Sequence, residues 1–153
     1  MTKSHFDEEL WHAPLLAGEL ALPPGAVPEP FIDIEDVADV AVTVLAEPGR
    51  HAGRTYELTG PRAITFPEAV ALIARASGRP LTYRQIPVDE YAAGLIGEGW
   101  EEDDARTLAG MFVLMERGLI AATTDDLATV LGRPPRTFED YVARAAAAGA
   151  WSR

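Results

Sequence analysis

The stretch Pro30-Phe31-Ile32-Asp33-Ile34-Glu35-Asp36-Val37-Ala38-Asp39-Val40-Ala41 decides how this chain is read. Phe31, Ile32 and Ile34 carry the branched and aromatic side chains that fit a pleated surface, which predicts a short strand. Asp33 is placed to cap a helix, with Asp36 as its partner three positions on. Apolar residues then fall at Val37, Val40, Ala41, Val44 and Leu45, the spacing of one buried helix face. Pro48-Gly49 ends that helix, and Thr55-Tyr56-Glu57-Leu58-Thr59 reads as a second strand. Strand, helix and strand form a βαβ unit with an expected right-handed crossover.

The composition narrows the rest. At 153 residues the chain can bury one core and is read as a single domain. A net charge of −11 sets it against phosphate backbones and anionic lipid, so neither nucleic acid nor a membrane is an expected partner. No apolar run approaches the roughly 18 residues that span a bilayer. The first residues lack the apolar stretch of a signal peptide. With no cysteine, these features lead to an expected cytoplasmic location. Lys3, placed in an N-terminal tail, is the sole lysine, and none of the three serines sits in a Gly-x-Ser-x-Gly turn. Chemistry would therefore fall to Asp, Glu, His, Tyr, Thr, Arg or backbone groups.

Outward from the deciding stretch, residues 6–22 read as partly helical, with Pro14 as a kink or restart. His5, Glu8, Glu9 and His12 lie at helical spacing, open to three readings: a metal site, an acid–base pair or a solvated charged face. Residues 23–30 are a proline-rich loop. Thr65-Phe66-Pro67-Glu68 is a capping box for a helix that stops at Gly78, and Leu81–Ile86 is a strand. The remainder is helical: Val88–Ile96, a helix opened by Glu101–Asp104, a brief one after Thr123–Asp126, and a last one capped at Thr137. Leu108, Met111, Phe112 and Met115 form a buried stripe. The pattern is α/β (α+β), a small and mostly parallel sheet dressed with helices.

The order of Pro30–Ala41, Thr55-Tyr56-Glu57-Leu58-Thr59-Gly60-Pro61, Ile64-Thr65-Phe66-x-Glu68-Ala69 and Gly132-Arg133-Pro134-Pro135-Arg136-Thr137-Phe138-Glu139-Asp140-Tyr141-Val142 resembles the C-terminal half of NmrA-like proteins. These are atypical members of the short-chain dehydrogenase/reductase superfamily. The resemblance implies a substrate-side region over residues 30–153, preceded by an N-terminal arm and loop over 1–29. The Gly-rich dinucleotide turn and Tyr-x-x-x-Lys pair of the family's Rossmann half have no counterpart here. No family cofactor residue can be carried over, so neither cofactor nor metal is expected.

Two functions follow as expectations. The first is a cofactor-independent enzyme of isomerase, cyclase or hydro-lyase type, acting on a small hydrophobic metabolite. His12, Glu9, Tyr56 and Tyr83 are its candidate catalytic residues, and Trp11, Tyr91, Trp100 and Phe112 its candidate substrate wall. Asp33 and Asp36 are also polar candidates, although capping explains them, and His51 reads as an exposed loop histidine. Tyr91 and Trp100 flank the Gly97–Gly99 break, where a lid could hinge. The second is a non-catalytic regulatory module, or a subunit completing a separate Rossmann partner. A truncated remnant is a third reading. A substrate-side half standing alone would expose a sheet edge, and an open edge templates pairing with another chain. A homodimer is therefore expected, to be checked by size exclusion with light scattering at micromolar concentration; a well-behaved monomer would contradict it.

Overall fold

The computed structural model describes residues 1–8, 10–119 and 121–152. A 3-10 turn at Lys3–Phe6 leads into α1 (His12–Ala17). Pro14 falls in its first turn, where a missing N–H costs nothing. Gly18, at φ +106°, ends α1 in the left-handed region that favours glycine. Strand β1 (Glu19–Leu22) follows where helix was expected. Leu20 and Leu22 are buried between the more exposed Glu19 and Ala21, a period of two. It pairs in parallel with β2 (Thr82–Gln85), Leu20 opposite Tyr83 and Leu22 opposite Gln85.

The βαβ unit expected over residues 31–59 does not form. Ile34 opens α2 (Ile34–Ala46) rather than closing a strand, and Ile32 makes a single bridge to Thr2. Pro28 and Pro30 remove the donors a ladder would need on this approach. Residues 55–59 form no strand. They are laced to the segment before α7 (Asp126–Leu131) by Glu57 N–H donating to Asp126 at 2.7 Å and Thr124 N–H donating to Thr59 at 3.0 Å. The parallel connection is made by β1 and β2, with α2, α3 (Pro48–His51) and α4 (Phe66–Ser77) between them. After β2 come α5 (Val88–Gly97), α6 (Glu102–Glu116), α7 and α8 (Phe138–Ala147). The result is the expected mixed α/β architecture with a small parallel sheet. None of its helices, among the described residues, is long and apolar enough to cross a membrane.

The core is an aromatic knot. Phe6 packs on Trp11 at 4.9 Å, on Phe31 at 5.4 Å and on Phe138 at 5.5 Å, and Phe31 on Phe66 at 5.1 Å. These tilted and edge-on contacts are the favourable arrangement of ring quadrupoles. The N-terminal segment is thus inside the core, with Leu15, Leu20 and Leu22 beside it. A smaller cluster joins Ile32 and Val40 of the α2 region to Leu127 of α7.

The deciding stretch is held by charge as much as by burial. Asp33 caps α2, accepting from Glu35 N–H at 3.1 Å. Asp36 is not its capping partner. It lies on the same face as Val40, four residues on, and this buried face is rotated away from Ala41 and Leu45, which are exposed. The fully buried Asp36 carboxylate accepts from the Arg136 backbone N–H at 2.8 Å and from the guanidinium groups of Arg133, at 2.8 Å, and Arg136. Asp39 adds bonds of 2.5 Å to Arg133 and 3.1 Å to Arg136. Asp33 pairs with Arg144 at 2.8 Å and with Lys3 at 3.8 Å. Lys3 is no tail residue: it is 1% exposed and donates to the Arg136 and Thr137 carbonyls at 2.8 and 2.9 Å. Burial lowers its pKa, while Asp33 and Asp36 pull the other way.

Breaking one partner of a buried ion pair strands the other charge. Asp36→Asn is expected to cost about 3 kcal/mol in urea unfolding, toward the low end of the buried range because Arg133 and Arg136 remain partly exposed. Asp39→Asn, at a more exposed group, should cost less; equal losses would contradict the assignment. Hydrogen bonds from Arg133 and Arg136 hold the Asp39 carboxyl below its ordinary range. Thr65 and Thr137 do the same for Glu68 and Asp140, while Asp7, raised chiefly by burial, opposes them. Carboxyls depressed on folding add stability that is complete above their unfolded pKa and lost as pH falls through the folded value. The urea midpoint should therefore drop below about pH 4.

Gly60 marks the tightest backbone approach. A Cβ there would lie 2.1 Å from the Phe31 carbonyl oxygen, while at Gly110, inside α6, it would meet nothing within 4 Å. Gly60→Ala should destabilise by at least about 2 kcal/mol. Gly110→Ala should stabilise by about 0.5–1 kcal/mol through helix propensity. Comparable effects of the two changes would refute this packing.

Candidate functional site

Trp11 precedes α1 and is fixed by its own backbone N–H donating to the His5 carbonyl at 2.9 Å. Tyr91 stands in the first turn of α5, and Leu108, Met111 and Phe112 follow helical spacing on α6. Together with Met1, Thr2, His5 and Leu10 they line a cavity of about 310 Å³. Its walls are almost wholly apolar. Trp11 meets the His5 ring edge-on at 5.2 Å, and Tyr91 meets Phe112 edge-on at 5.2 Å. A cavity of this size with few polar groups suits a small flat ligand.

One polar group in it is unsatisfied. Trp11 is 2% exposed, and its indole N–H has no hydrogen bond of good geometry among the described residues. The Tyr91 phenol has its pKa raised first by burial; the Trp11 N–H, close enough to act on the hydroxyl as a poorly aligned donor, lowers it, and Glu98 adds to the rise. Tyr91 therefore stays a neutral donor at physiological pH. A second cavity of about 330 Å³ shares Leu10, Trp11 and Tyr91 and opens toward Glu19, Arg84 and Glu90. Trp11 and Tyr91 thus form the partition between an apolar chamber and a more polar one.

Three of the four substrate-wall candidates, Trp11, Tyr91 and Phe112, meet in the apolar cavity; Trp100 lies outside it, partly exposed in the loop before α6. The four catalytic candidates are not assembled there. His12 uses Nε2 to reach the Ala150 carbonyl at 2.7 Å, which requires the proton on that nitrogen and ties α1 to the C-terminal turn. The Tyr56 hydroxyl is 2.7 Å from His51 Nδ1. Tyr83 donates to the carbonyls of Leu22, at 3.1 Å, and Pro24, and burial pushes its phenol above the ordinary range. Glu9 lies outside the described residues. His5, Glu8 and His12 build no metal cluster, and among the described residues no three such ligands converge. His51, read as an exposed loop residue, is buried. Sequence reasoning missed Met1, Thr2, His5, Leu10, Leu108 and Met111 as lining residues. Met111 and Leu108 belong to the same stripe as Phe112 and Met115, but their side of it opens into the cavity.

Comparison with known proteins gives this geometry its setting. The family described as "NmrA-like family" matches residues 7–142. An "NAD(P)H azoreductase" of Xenophilus azovorans is 36% identical over 134 residues, covering 87% of this chain and 46% of the relative. A "Quinone oxidoreductase 2" of Escherichia coli is 31% identical over 107 residues, covering 70% of this chain and 37% of the relative. Among solved structures, the Citrobacter triphenylmethane reductase complexed with NADP(H) superposes with a TM-score of 0.76 at 23% identity, over 95% of this chain and 50% of that one. The chain spans about half the length of these two chains, and less of the quinone oxidoreductase. These relatives are named as reductases using NAD(P)H or acting on quinones. That overturns the expectation of cofactor-independent isomerase or cyclase chemistry and directs attention to oxidoreduction.

The N-termini of the longer helices do not fit a dinucleotide pyrophosphate. Pyrophosphates are held by Gly-rich turns at helix N-termini, where the dipole and free N–H groups face the anion. Here the first turns of α2, α4, α5, α6 and α8 all carry carboxylates. Thr65 and Thr137 occupy their own helix ends in closed capping boxes. A phosphate approaching any of these ends would meet like charge.

Proposed function

This chain belongs to the NmrA-like family, and on that premise we propose that it is the substrate-side, C-terminal half of an NAD(P)H-dependent reductase of flat, apolar acceptors. The observation that carries the reading is the aromatic cavity with its unsatisfied Trp11 N–H. A quinone or azo compound has a π-face to stack on Trp11, Tyr91 and Phe112, and an oxygen or nitrogen lone pair for the indole to reach. The Trp11 N–H and the neutral Tyr91 hydroxyl supply donors at a heteroatom that gains negative charge on reduction. Leu10, Leu108 and Met111 exclude water around it. The names of the azoreductase and quinone oxidoreductase relatives support this acceptor class. The dinucleotide is assigned to residues other than these 153, in keeping with the carboxylate-filled helix ends and the half-length match, and no hydride step is derived from this chain.

Calorimetry separates this reading from its alternatives. In phosphate buffer, the chain should bind 1,4-naphthoquinone saturably, and NADPH alone should give no saturable heat. Trp11→Phe, which keeps the ring and removes the donor, should weaken naphthoquinone by about tenfold. Tight NADPH binding, or naphthoquinone binding indifferent to Trp11→Phe, would contradict it.

A further inference from the structure

Away from the aromatic cavity, the short helix α3, the turn that follows it and the end of α7 border a separate, half-open polar cavity of about 240 Å³. It is lined by Gly49, Arg50, His51, Arg54, Tyr56, Thr129 and Val130. His51 is 8% exposed, and its Nδ1 is engaged by the Tyr56 hydroxyl at 2.7 Å, their rings 5.7 Å apart. Its other nitrogen, Nε2, is buried and has no hydrogen-bond partner among the described residues. Either tautomer leaves a buried polar atom without a partner, which costs stability unless something binds there.

The charged side chains lining it are of one kind. Arg50 and Arg54 both line the cavity, in a protein whose net charge is −11. Glu47 engages Arg50 at 2.6 Å, but Arg54 makes no ion pair among the described residues. The Arg54 backbone N–H donates to the His51 carbonyl at 3.1 Å, so the two residues are held together by the turn itself. Thr129 adds a hydroxyl. When Tyr56 donates to Nδ1, Nε2 carries the hydrogen and becomes a donor; when the ring is protonated, both nitrogens donate. The cavity then offers imidazole, guanidinium and hydroxyl donors, and the Glu47 carboxylate is already paired to Arg50.

We propose that this cavity is an oxyanion site, taking a phosphate or carboxylate group on His51 Nε2 and Arg54, with Tyr56 fixing the imidazole from behind. It is independent of the reductase reading, because it shares no lining residue with the aromatic cavity. Guanidinium and imidazole donors pair with both anion types through charge-assisted hydrogen bonds. The cavity has room for a group of several heavy atoms, a single water's share of liquid being only about 30 Å³.

The test is long-range nitrogen–proton NMR of the histidine rings at fixed pH and ionic strength. Inorganic phosphate and acetate are titrated in separate arms, with chloride as the reference anion. A saturable shift of the His51 nitrogens with phosphate or with acetate, absent with chloride, is expected, and the arm that saturates at lower concentration identifies the anion class. His5 and His12 should move little. Arg54→Gln, a change at an exposed side chain, should weaken the interaction by about tenfold while leaving naphthoquinone binding intact. No saturable shift in either arm, a shift matched by chloride, or binding unchanged in Arg54→Gln would each overturn the proposal. Loss of naphthoquinone binding in the unmodified chain, with the anion shift retained, would count against the reductase reading alone.

Discussion

Everything in this molecule is arranged around one carboxylate out of contact with water. Asp36 lies on the buried face of α2 and is held by a backbone N–H and two guanidinium groups from the Arg133–Arg136 turn. An ion of this kind is costly to bury and is tolerated only when its lone pairs are filled. The cost is offset by a network. Asp33, Asp39 and Glu35 stand on the same side of α2, and Lys3 and Arg144 answer them from the N-terminus and from α8. Three parts of the chain, the N-terminal turn, α2 and the stretch from Arg133 to Arg144, are registered at one point. With α2 and α8 so fixed, Phe6, Phe31 and Phe138 can meet in the knot that anchors the N-terminal turn. That turn in turn presents His5 and Trp11 to the cavity. The route from sequence to site therefore passes through an ion cluster that contributes nothing to binding directly.

The helices were legible because their signals are local. Thr65-x-x-Glu68 and Thr137-x-x-Asp140 form closed capping boxes, and Gly78 and Gly132 end helices in the left-handed region. The strands were less so. Phe31-Ile32-Asp33-Ile34 has strand composition, yet its backbone groups are used by a single bridge to Thr2 and by helix initiation. Glu19–Leu22 has a clear alternation, but it spans only four residues and follows a helix directly, so the period of two was masked. Asp36 was read as a cap because the spacing from Asp33 allowed it. Its true partner lies in a turn rich in arginine and proline, and no local pattern announces a contact 100 residues distant.

The candidate site was legible in kind rather than in detail. Aromatic residues at Trp11, Tyr91 and Phe112 suggested a wall, and the fold brings these three together. The acid–base residues could not be placed from spacing alone. His12, Tyr56 and Tyr83 each have a hydrogen bond that spacing did not announce, to the Ala150 carbonyl, to His51 and to the Leu22 and Pro24 carbonyls. The chemistry expected of them was that of isomerases, whereas the relatives are named as reductases.

The central claim is that the chamber between the N-terminal turn and α6 receives a flat aromatic acceptor. The three methionines make it measurable, since Met1 and Met111 line the chamber while Met115 is buried in the aromatic core. With carbon-13 in the methionine methyl groups, titration with 1,4-naphthoquinone should move the Met1 and Met111 resonances by ring current, saturably and together, and leave Met115 nearly still. Shifts confined to Met115, or none that saturate at Met111, would contradict the account.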